Sequence, residues 1–336
     1  MTTFSSTSAI DRNSTHFRWL FVSLSAFVAI FLASLIVRRT GSYNTVVDGW
    51  GVDAFELSMG GICLHRYFER SWRSTHSTTS VFPLVMGAAC ISWALGDVAS
   101  TIEGLGGATV PVPSVADGFF TDFFPVCFIA FMVLIRRGNR SSLVATSLDG
   151  LIAALGAAAL SALFIFDAVL KASGGGELST ATNLVYPVGD VLLLALAIGA
   201  IAILPNVYRR FFVLASVAMV ANLVGDMFNL LQPDSRMGYV SNAAAWPISL
   251  LLLAAATWCQ PAVTDSLNTE KAVDTENAVK ERSAGFLIPS FGALAGMVVL
   301  FTAAAAHVGS PPSAWLPGPF WWLAQDSPSR SVRPTH

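Results

Sequence analysis

Acidic side chains interrupt several long apolar stretches of this sequence, and they are the residues there best suited to chemistry. These acids are Asp53, Glu56, Asp97, Asp122, Asp167, Asp190 and Asp226. A carboxylate at the centre of a membrane-spanning helix costs about 2.5–3.5 kcal/mol on insertion scales. Few bases lie at the same ends of these stretches, namely Arg38, Arg39, Lys171 and Arg236. The carboxyl groups therefore face water, bind a cation or remain protonated.

Two interpretations of these acids remain open. In the first, they surround a polar pocket that opens to the outside and takes a cationic ligand or a metal ion, or responds to outside pH. The residues assigned to this pocket are Asp97, Asp122, Asp167, Asp190, Asp226, Trp93 and Tyr186. In the second, each Asp only accepts hydrogen bonds from a neighbouring helix. The donors available for that are Ser100, Thr101, Trp93, Tyr186, Asn222 and Asn229.

A two-helix pattern occurs three times and positions these acids. One helix carries an Asp near its outer end, a loop follows, and the returning helix has an aromatic-Pro pair about one or two turns from its start. The pattern joins Asp97 to Phe124-Pro125, Asp167 to Tyr186-Pro187, and Asp226 to Trp246-Pro247. Because proline frees a backbone carbonyl and bends a helix, Pro125, Pro187 and Pro247 are predicted helix bends. The alternative is that these prolines, and the glycines before the Asp residues, serve only helix packing.

Several kinds of catalytic and cofactor chemistry find no support in the sequence. The histidines His16, His65, His76, His307 and His336 have no spacing suited to a zinc or haem site. The cysteines Cys63, Cys90, Cys127 and Cys259 form no C-x-x-C pair and are expected to pack as small apolar residues. The Gly-Asp sequences lack the first glycine of the Gly-x-Gly-Asp motif of intramembrane aspartyl proteases. We therefore expect no metal, no cofactor and no catalytic residues.

The composition indicates a polytopic membrane protein. Hydrophobic residues make up 54% of the 336 residues and charged residues only 12%, whereas soluble domains carry about 25% charge. The net charge of −2 gives no indication of nucleic-acid binding. Eight segments are long and apolar enough to span a membrane, and a ninth, 47–67, is weaker because it holds Asp48, Asp53 and Glu56. The eight are 19–37, 81–102, 119–135, 147–170, 182–204, 211–231, 239–259 and 284–307.

These segments predict an all-α fold of about nine transmembrane helices. Residues 1–18 form a cytoplasmic head, 19–259 an eight-helix bundle of repeated hairpins, and 260–283 a charged cytoplasmic linker. Residues 284–307 form the ninth span and 308–336 a Pro/Trp/Ser tail, in which 315–324 lies at the membrane interface. The first span is expected to be an uncleaved helix, because it ends in Val37-Arg38-Arg39 rather than at a small-residue cleavage site.

The distribution of Lys and Arg predicts the orientation in the plasma membrane. With the N-terminus in the cytoplasm and nine spans, the C-terminus lies outside. Thirteen of the 19 bases are then cytoplasmic: Arg12, Arg18, Arg66, Arg70, Arg73, Arg136, Arg137, Arg140, Arg209, Arg210, Lys271, Lys280 and Arg282. The Arg38-Arg39 pair is the main exception. The pocket acids then lie in the outer part of their helices.

Short motifs in a fixed order give the sequence a resemblance to a known family. They are Trp93-Ala94-Leu95-Gly96-Asp97, Pro113-Ser114-Val115-Ala116-Asp117, Phe124-Pro125, Leu148-Asp149-Gly150-Leu151 and Tyr186-Pro187-Val188-Gly189-Asp190. Over about residues 15–307 the chain resembles the multi-span N-terminal membrane region of actinobacterial diguanylate cyclases and cyclic-di-GMP phosphodiesterases. In that family this region precedes a cytoplasmic catalytic domain and has the position of a sensor.

The chain departs from the family pattern after its last predicted span. It has neither a Gly-Gly-Asp-Glu-Phe nor a Glu-Ala-Leu stretch. The resemblance therefore implies a non-catalytic sensor or signalling module; the alternative is a cation-coupled transporter or channel. The expected partners are the lipid bilayer and either a cytoplasmic signalling protein or a second copy, for which Gly292 and Gly296 form a G-x-x-x-G motif. The sequence identifies no ligand.

Overall fold

The described part of the chain is mostly helical. A computed structural model describes residues 6–38, 43–73, 81–107, 110–138, 168–172, 176–204, 206–232 and 235–259. None of these residues forms a β-strand. The predicted all-α class is therefore confirmed for the described residues. Most of the 147–170 segment, the 260–283 linker, the ninth span and the 308–336 tail, with its 315–324 stretch, lie outside them.

Seven long helices and two short helical turns follow one another along the chain. They are α1 (Ser6–Val37), a π-helical turn (Thr45–Gly51), α2 (Val52–Arg73), α3 (Phe82–Glu103), a 3₁₀ turn (Leu105–Gly107), α4 (Val115–Gly138), α5 (Glu177–Ile203), α6 (Asn206–Leu231) and α7 (Arg236–Trp258). Residues 168–172 are also helical. Helix α1 begins at Ser6 and so continues through much of the predicted polar head.

Six of these helices are long and apolar enough to cross a membrane. The candidate spans are Trp19–Val37, Phe82–Glu103, Val115–Arg137, Glu177–Ile201, Asn206–Leu231 and Arg236–Trp258. Helix α2 forms as predicted but does not qualify on apolarity, because Asp53, Glu56, Arg66 and Glu69 interrupt it. The membrane character of the protein is thus supported, and the total of nine spans stays a prediction.

The helices begin earlier than their apolar segments, which corrects the predicted position of the prolines. Pro125 lies ten residues after Val115, Pro187 ten residues after Glu177, and Pro247 eleven residues after Arg236. Each proline is therefore about three turns into its helix rather than one or two. Polar residues at the helix starts account for the difference, since they continue the helix beyond its apolar part. Ser235 caps α7 by accepting a hydrogen bond from the Gly238 N–H.

The pairs α2–α3, α3–α4, α5–α6 and α6–α7 pack antiparallel. Helices α4 and α5 pack in parallel, and contact between α2 and α7 closes the bundle. The interior is rich in aromatic rings from several helices. Phe211 packs edge-to-face against Phe82 at a ring-centre distance of 4.9 Å and against Phe131 at 5.6 Å. Helix α1 lies at the periphery, where it contacts α7 and stacks Phe27 on Phe55 of α2.

The glycine that precedes Asp97, Asp190 or Asp226 packs against a neighbouring helix in each case. A Cβ atom at Gly96 would lie 2.5 Å from the Phe120 ring, and one at Gly189 would lie 2.4 Å from the Phe124 ring. A Cβ atom at Gly225 would lie 2.3 Å from the Ala245 Cβ. These separations are too short for any side chain, so each Gly-Asp sequence sets a close helix approach.

The bundle has two chemically different ends. We call the end that holds Arg38 and residues 43–52, 103–107, 110–117, 176–180 and 235–239 the acidic end. We call the opposite end the arginine end; it holds Arg66, Arg136, Arg137, Arg209 and Arg210. At the acidic end, the Arg38 guanidinium donates to both Asp48 carboxylate oxygens at 2.7 and 2.6 Å. Arg236 donates to the Ile36 carbonyl and joins α7 to α1. These contacts hold the loop after α1 on the bundle.

Substitution of Gly225 by Ala should destabilise the bundle, because the new methyl group would overlap Ala245. Overpacking of this kind costs about 1–3 kcal/mol, and it should lower the thermal unfolding midpoint in detergent. Gly61→Ala is the matched control, since no heavy atom of the described chain lies within 4 Å of a Cβ at that position. Ala245→Gly should restore the stability of the Gly225→Ala variant. Equal midpoints for Gly225→Ala and Gly61→Ala would contradict the close approach.

Candidate functional site

The buried acids are arranged as two carboxyl pairs, each formed between two helices. In the first pair, Glu56 of α2 interacts with Asp97 of α3. In the second pair, Asp190 of α5 interacts with Asp226 of α6. The two partners of each pair are distant in sequence and are brought together by packing of antiparallel neighbours. Of the predicted pocket residues, Asp97 thus belongs to the first pair, and Asp190 and Asp226 form the second.

The Glu56–Asp97 pair is deeply buried and short of hydrogen-bond donors. Glu56 is 0% exposed, and neither of its carboxylate oxygens accepts a hydrogen bond from a described residue. Asp97 is half-buried, and its Oδ2 atom is buried without a donor in the same part of the chain. Trp93 lies one turn before Asp97 on the same face of α3 and interacts with its carboxyl group. Its indole N–H, however, makes no hydrogen bond of ordinary length and angle with a described residue.

The loop after α1 covers this pair at the acidic end. Asp53, which is buried, lies beside the Thr101 hydroxyl group. Gly49 of the π-helical turn fits closely between Thr101 and Tyr43, since a Cβ there would lie 2.8 Å from the Tyr43 hydroxyl oxygen. The Asn44 side chain caps this turn by accepting hydrogen bonds from the Val46 and Val47 N–H groups at 3.0 and 3.2 Å. The described part of the loop, residues 43–51, therefore packs on α2 and α3 beside Asp53.

Electrostatics outside the spans favour fixed charge states for the loop. Hydrogen bonding to Asp48 raises the pKa of Arg38, so the guanidinium stays charged and the ion pair persists. The Tyr43 ring is largely exposed, but its hydroxyl group is sheltered beside Gly49. This desolvation raises the pKa of Tyr43, so the phenol remains neutral over the physiological range.

The Asp190–Asp226 pair has one hydrogen-bond donor from a third helix. The Trp246 indole N–H of α7 donates to Asp226 Oδ1 at 3.0 Å. Asp190 is 0% exposed, and neither of its oxygens accepts a hydrogen bond from the described residues. Asn222, one turn before Asp226, has a buried side-chain oxygen that also lacks a donor among them. The register that sets Gly225 against Ala245 places Asn222 at the level of Ser249, whose buried hydroxyl is equally unpartnered within the described chain.

Aromatic rings separate the two carboxyl pairs. The Trp93 ring lies 4.9 Å from Phe120 and 5.6 Å from Trp246, and Phe120 lies 6.2 Å from Trp246. Trp93 and Trp246 are also the indoles that face the first and the second pair. The Tyr186 hydroxyl group is within electrostatic range of both Asp97 and Asp226. The pairs are therefore distinct centres that share one aromatic partition.

The remaining predicted pocket residues have simpler surroundings. The Tyr186 hydroxyl donates to Asp117 and so joins α5 to the first turn of α4. Asp122 lies on an exposed face of α4 and accepts a hydrogen bond from the Ser92 hydroxyl at 3.0 Å. Asp167 lies outside the described residues. Asp117, Asp122 and one oxygen of Asp226 thus accept hydrogen bonds from a neighbouring helix, as the second interpretation of the acids expects.

Sequence reasoning did not assign Glu56 and Asp53 to the pocket. In the sequence, these two acids lower the apolarity of the 47–67 segment, which makes it the weakest predicted span. The signal that identifies them is their spacing: residues three apart face the same side of a helix. Two acids on one face of an otherwise apolar helix need a polar partner inside the bundle, and Asp97 is that partner.

The described residues offer no evident metal centre. No group of three or more His, Cys, Asp or Glu side chains among them is arranged to hold a metal ion. Cys63, Cys90 and Cys127 are buried, and the thiols of Cys63 and Cys90 interact. Cys259, at the arginine end, is exposed. The expected apolar packing therefore holds for Cys63, Cys90 and Cys127, whereas the exposed position of Cys259 corrects it for that residue.

Comparison with known proteins finds no match: no protein family, no curated protein and no solved structure corresponds to this chain. The function is accordingly inferred from the residues and their contacts.

The hydrogen bond from Trp246 to Asp226 should stabilise the packing of α6 against α7. Trp246→Phe removes the indole N–H, and we expect it to lower the free energy of unfolding by about 1–3 kcal/mol. A double-mutant cycle with Asp226→Ala isolates the pair, with unfolding followed by denaturant titration in detergent. Trp19→Phe, on an exposed face of α1, is the control and should be neutral. If Trp246→Phe lowers the free energy of unfolding equally in the wild type and in the Asp226→Ala variant, the hydrogen bond makes no contribution to stability.

Proposed function

We propose that this protein is an integral membrane sensor module that is itself non-catalytic. A signal from outside changes the state of the carboxyl pairs at the acidic end, and the resulting shift in helix packing is read at the arginine end by a cytoplasmic signalling partner or by a second copy. The placement of two buried, base-free carboxyl pairs between helices supports this proposal. Because each pair joins two helices, a change in its charge or occupancy acts directly on their packing.

The orientation is part of the proposal. Placing the arginine end in the cytoplasm follows the positive-inside rule, since Arg66, Arg136, Arg137, Arg209 and Arg210 then lie on the inner side. The acidic end, with the carboxyl pairs beneath it, then faces the outside of the plasma membrane. The arginines there would contact anionic lipid headgroups or the partner.

The resemblance to the membrane region of cyclic-di-GMP turnover proteins is consistent with this role. In that family the multi-span region precedes the catalytic domain, so a signal has to pass through helix packing to reach the cytoplasm. A helix bundle whose polar contacts lie between helices is suited to that task. The Asp-to-Pro hairpins supply the helices that would move, with Pro125, Pro187 and Pro247 as the proposed bends.

The sensor proposal predicts that neutralising one member of a carboxyl pair changes the arrangement at the arginine end. Cys259 is the exposed native thiol, and Arg136→Cys adds a second exposed label site at the end of α4. The distance between spin labels at these two positions, measured in proteoliposomes, should change in Asp97→Asn or Asp226→Asn. Asp122→Asn is the matched control, because Asp122 belongs to neither pair. An unchanged distance distribution in both pair variants would contradict the sensor proposal.

Transport is the competing function, and buried helix-borne carboxyl groups are also what a cation-coupled transporter or channel would use. We expect no uptake of Na⁺, K⁺ or H⁺ by the same proteoliposomes. Uptake that is present in the wild type and abolished by Asp97→Asn or Asp226→Asn would favour transport instead. Asp122→Asn again controls for an unspecific loss of folded protein.

A further inference from the structure

We propose that Glu56, Asp97 and Trp93 form a binding site for a proton held together with water, beneath the loop at the acidic end. The inference deepens the proposed function and rests on it only in one respect, namely that this proton would be the signal. The binding site itself is argued from geometry and can be tested separately. Glu56, the most buried member, had no place in the sequence-based pocket.

Several polar atoms without partners converge at this place. Both Glu56 oxygens and Asp97 Oδ2 are buried acceptors, and the Trp93 indole N–H is a buried donor on a side chain that is 1% exposed. Asp53 Oδ2, about one turn nearer the start of α2, is a further buried acceptor. Among the described residues, none of these atoms has a hydrogen-bond partner of ordinary geometry. A native interior rarely leaves so many polar groups unsatisfied.

Water and a proton match this set of atoms. A water molecule can donate to two carboxyl oxygens and accept from an indole N–H, which satisfies both kinds of group at once. Two adjacent carboxylates in a medium of low dielectric constant repel strongly, and a shared proton removes that repulsion while giving one carboxyl group an O–H donor. The pair and its surroundings are thus complementary to one proton with water.

A divalent cation fits this centre less well than a proton. Ca²⁺ takes six to eight oxygen ligands and Mg²⁺ requires near-octahedral coordination. In the described residues, only the carboxyl groups of Glu56 and Asp97 interact directly here, and Asp53 lies one turn away on α2. The polar group beside Asp97 is the Trp93 indole N–H rather than an oxygen ligand. A positively polarised N–H opposes a metal ion and suits a water oxygen.

The site lies close to the surface of the acidic end. Glu56 is four residues after Val52, about one helical turn inside α2. Tyr43, Thr101 and Asp53 form a continuous series of polar side chains from the exposed loop towards Glu56. Protons from outside can therefore reach the pair through polar groups without crossing the apolar core.

Acids and neutral groups face Glu56 from the elements packed around it. They are Asp53 on α2 and Asp97 and Cys90 on α3. Tyr43 of the loop interacts with Asp53 and Asp97 rather than with Glu56 itself. The described bases at this end are directed elsewhere: Arg38 pairs with Asp48, Arg236 of α7 donates to the Ile36 carbonyl, and Lys171 is exposed. Tyr239 of α7 packs beside Phe31 and Leu35 of α1, and Asp122 of α4 is bonded to Ser92. Among the described residues, no base is paired with Glu56 or Asp97, and a shared proton would supply the positive charge that the pair lacks.

Holding the proton would keep α2 bonded to α3 through the carboxyl pair. Its loss would leave two carboxylates in repulsion beneath the loop, which favours separation of the two helices at the acidic end. Gly60 on α2 packs closely on Ile91 of α3 and Gly87 on Leu64 of α2, so that the helices are fixed to each other nearer the arginine end. The movement would therefore be a tilt about that contact.

Infrared difference spectroscopy of the full chain in proteoliposomes tests the site directly. The wild type should show the carbonyl stretch of a protonated carboxylic acid at low pH, and the band should be lost reversibly as the pH rises. Glu56→Gln and Asp97→Asn each remove the like-charged neighbour and supply an amide donor, so the band should disappear or titrate at lower pH. Asp122→Asn should leave this part of the spectrum unchanged.

The outcomes that overturn the proposal are distinct. A band that titrates as in the wild type in both pair variants would place the proton elsewhere. Displacement of the band by Na⁺ or K⁺ at constant pH would show that the site takes a metal cation. If Glu56→Gln fails to fold, the carboxylic acid band of Asp97→Asn alone tests the proposal. The distance between labels at Cys259 and Arg136→Cys, measured in parallel, separates the two proposals. A band that titrates as expected, with an unchanged label distance, supports the proton site and contradicts the sensor proposal. A label distance that changes in the pair variants, without the expected band, contradicts only the proton site.

Discussion

The need of a buried carboxyl group for a partner governs much of this bundle. An acid inside an apolar helix cannot be satisfied by its own helix, whose backbone groups are already bonded, so it must meet a group from another helix. Asp226 meets Asp190 and Trp246, Glu56 meets Asp97, and Asp122 meets Ser92. These contacts join α2 to α3, α3 to α4, α5 to α6 and α6 to α7. The polar residues thereby specify which helices are neighbours, a task that uniformly apolar surfaces perform poorly.

Close helix approach and polar contact occur together along the chain. The glycine before Asp97, Asp190 or Asp226 has no room for a Cβ atom, so the backbone of its helix lies directly against a neighbour. Gly96 and Gly189 pack on α4, whereas the Asp residues that follow them face α2 and α6. At Gly225-Asp226 the close approach and the polar contact involve the same helix, so a short side chain can reach across the interface there. Gly225 against Ala245, one residue before the Asp226–Trp246 bond, shows the arrangement most clearly. The packing and ligand interpretations of the Gly-Asp sequences are therefore compatible.

The sequence predicts the helices well because membrane helices are marked by long apolar runs. It also identifies Asp190 and Asp226 as residues of one site, since both interrupt such runs. It does not reveal that they face each other while Asp122 faces outward, because the direction of a side chain depends on how the helices rotate during packing. Glu56 was missed for a related reason: the apolarity that marks a span decreases where a polar centre lies inside it. The proline positions were wrong by one to two turns because polar residues such as Glu177, Ser179 and Thr180 extend the helix beyond its apolar part.

Helix α1 gives the protein a direct mechanical connection to the bilayer. Only 17% of its candidate span is buried against the described residues, which leaves most of that span available for contact with lipid. Arg38, which follows the last residue of α1, forms an ion pair with Asp48 of the loop. A helix in contact with lipid changes its tilt when bilayer thickness changes, at a cost of fractions of a kcal/mol per Å of mismatch. A change in the tilt of α1 would therefore pull on the loop beside the Glu56–Asp97 pair through the Arg38–Asp48 ion pair.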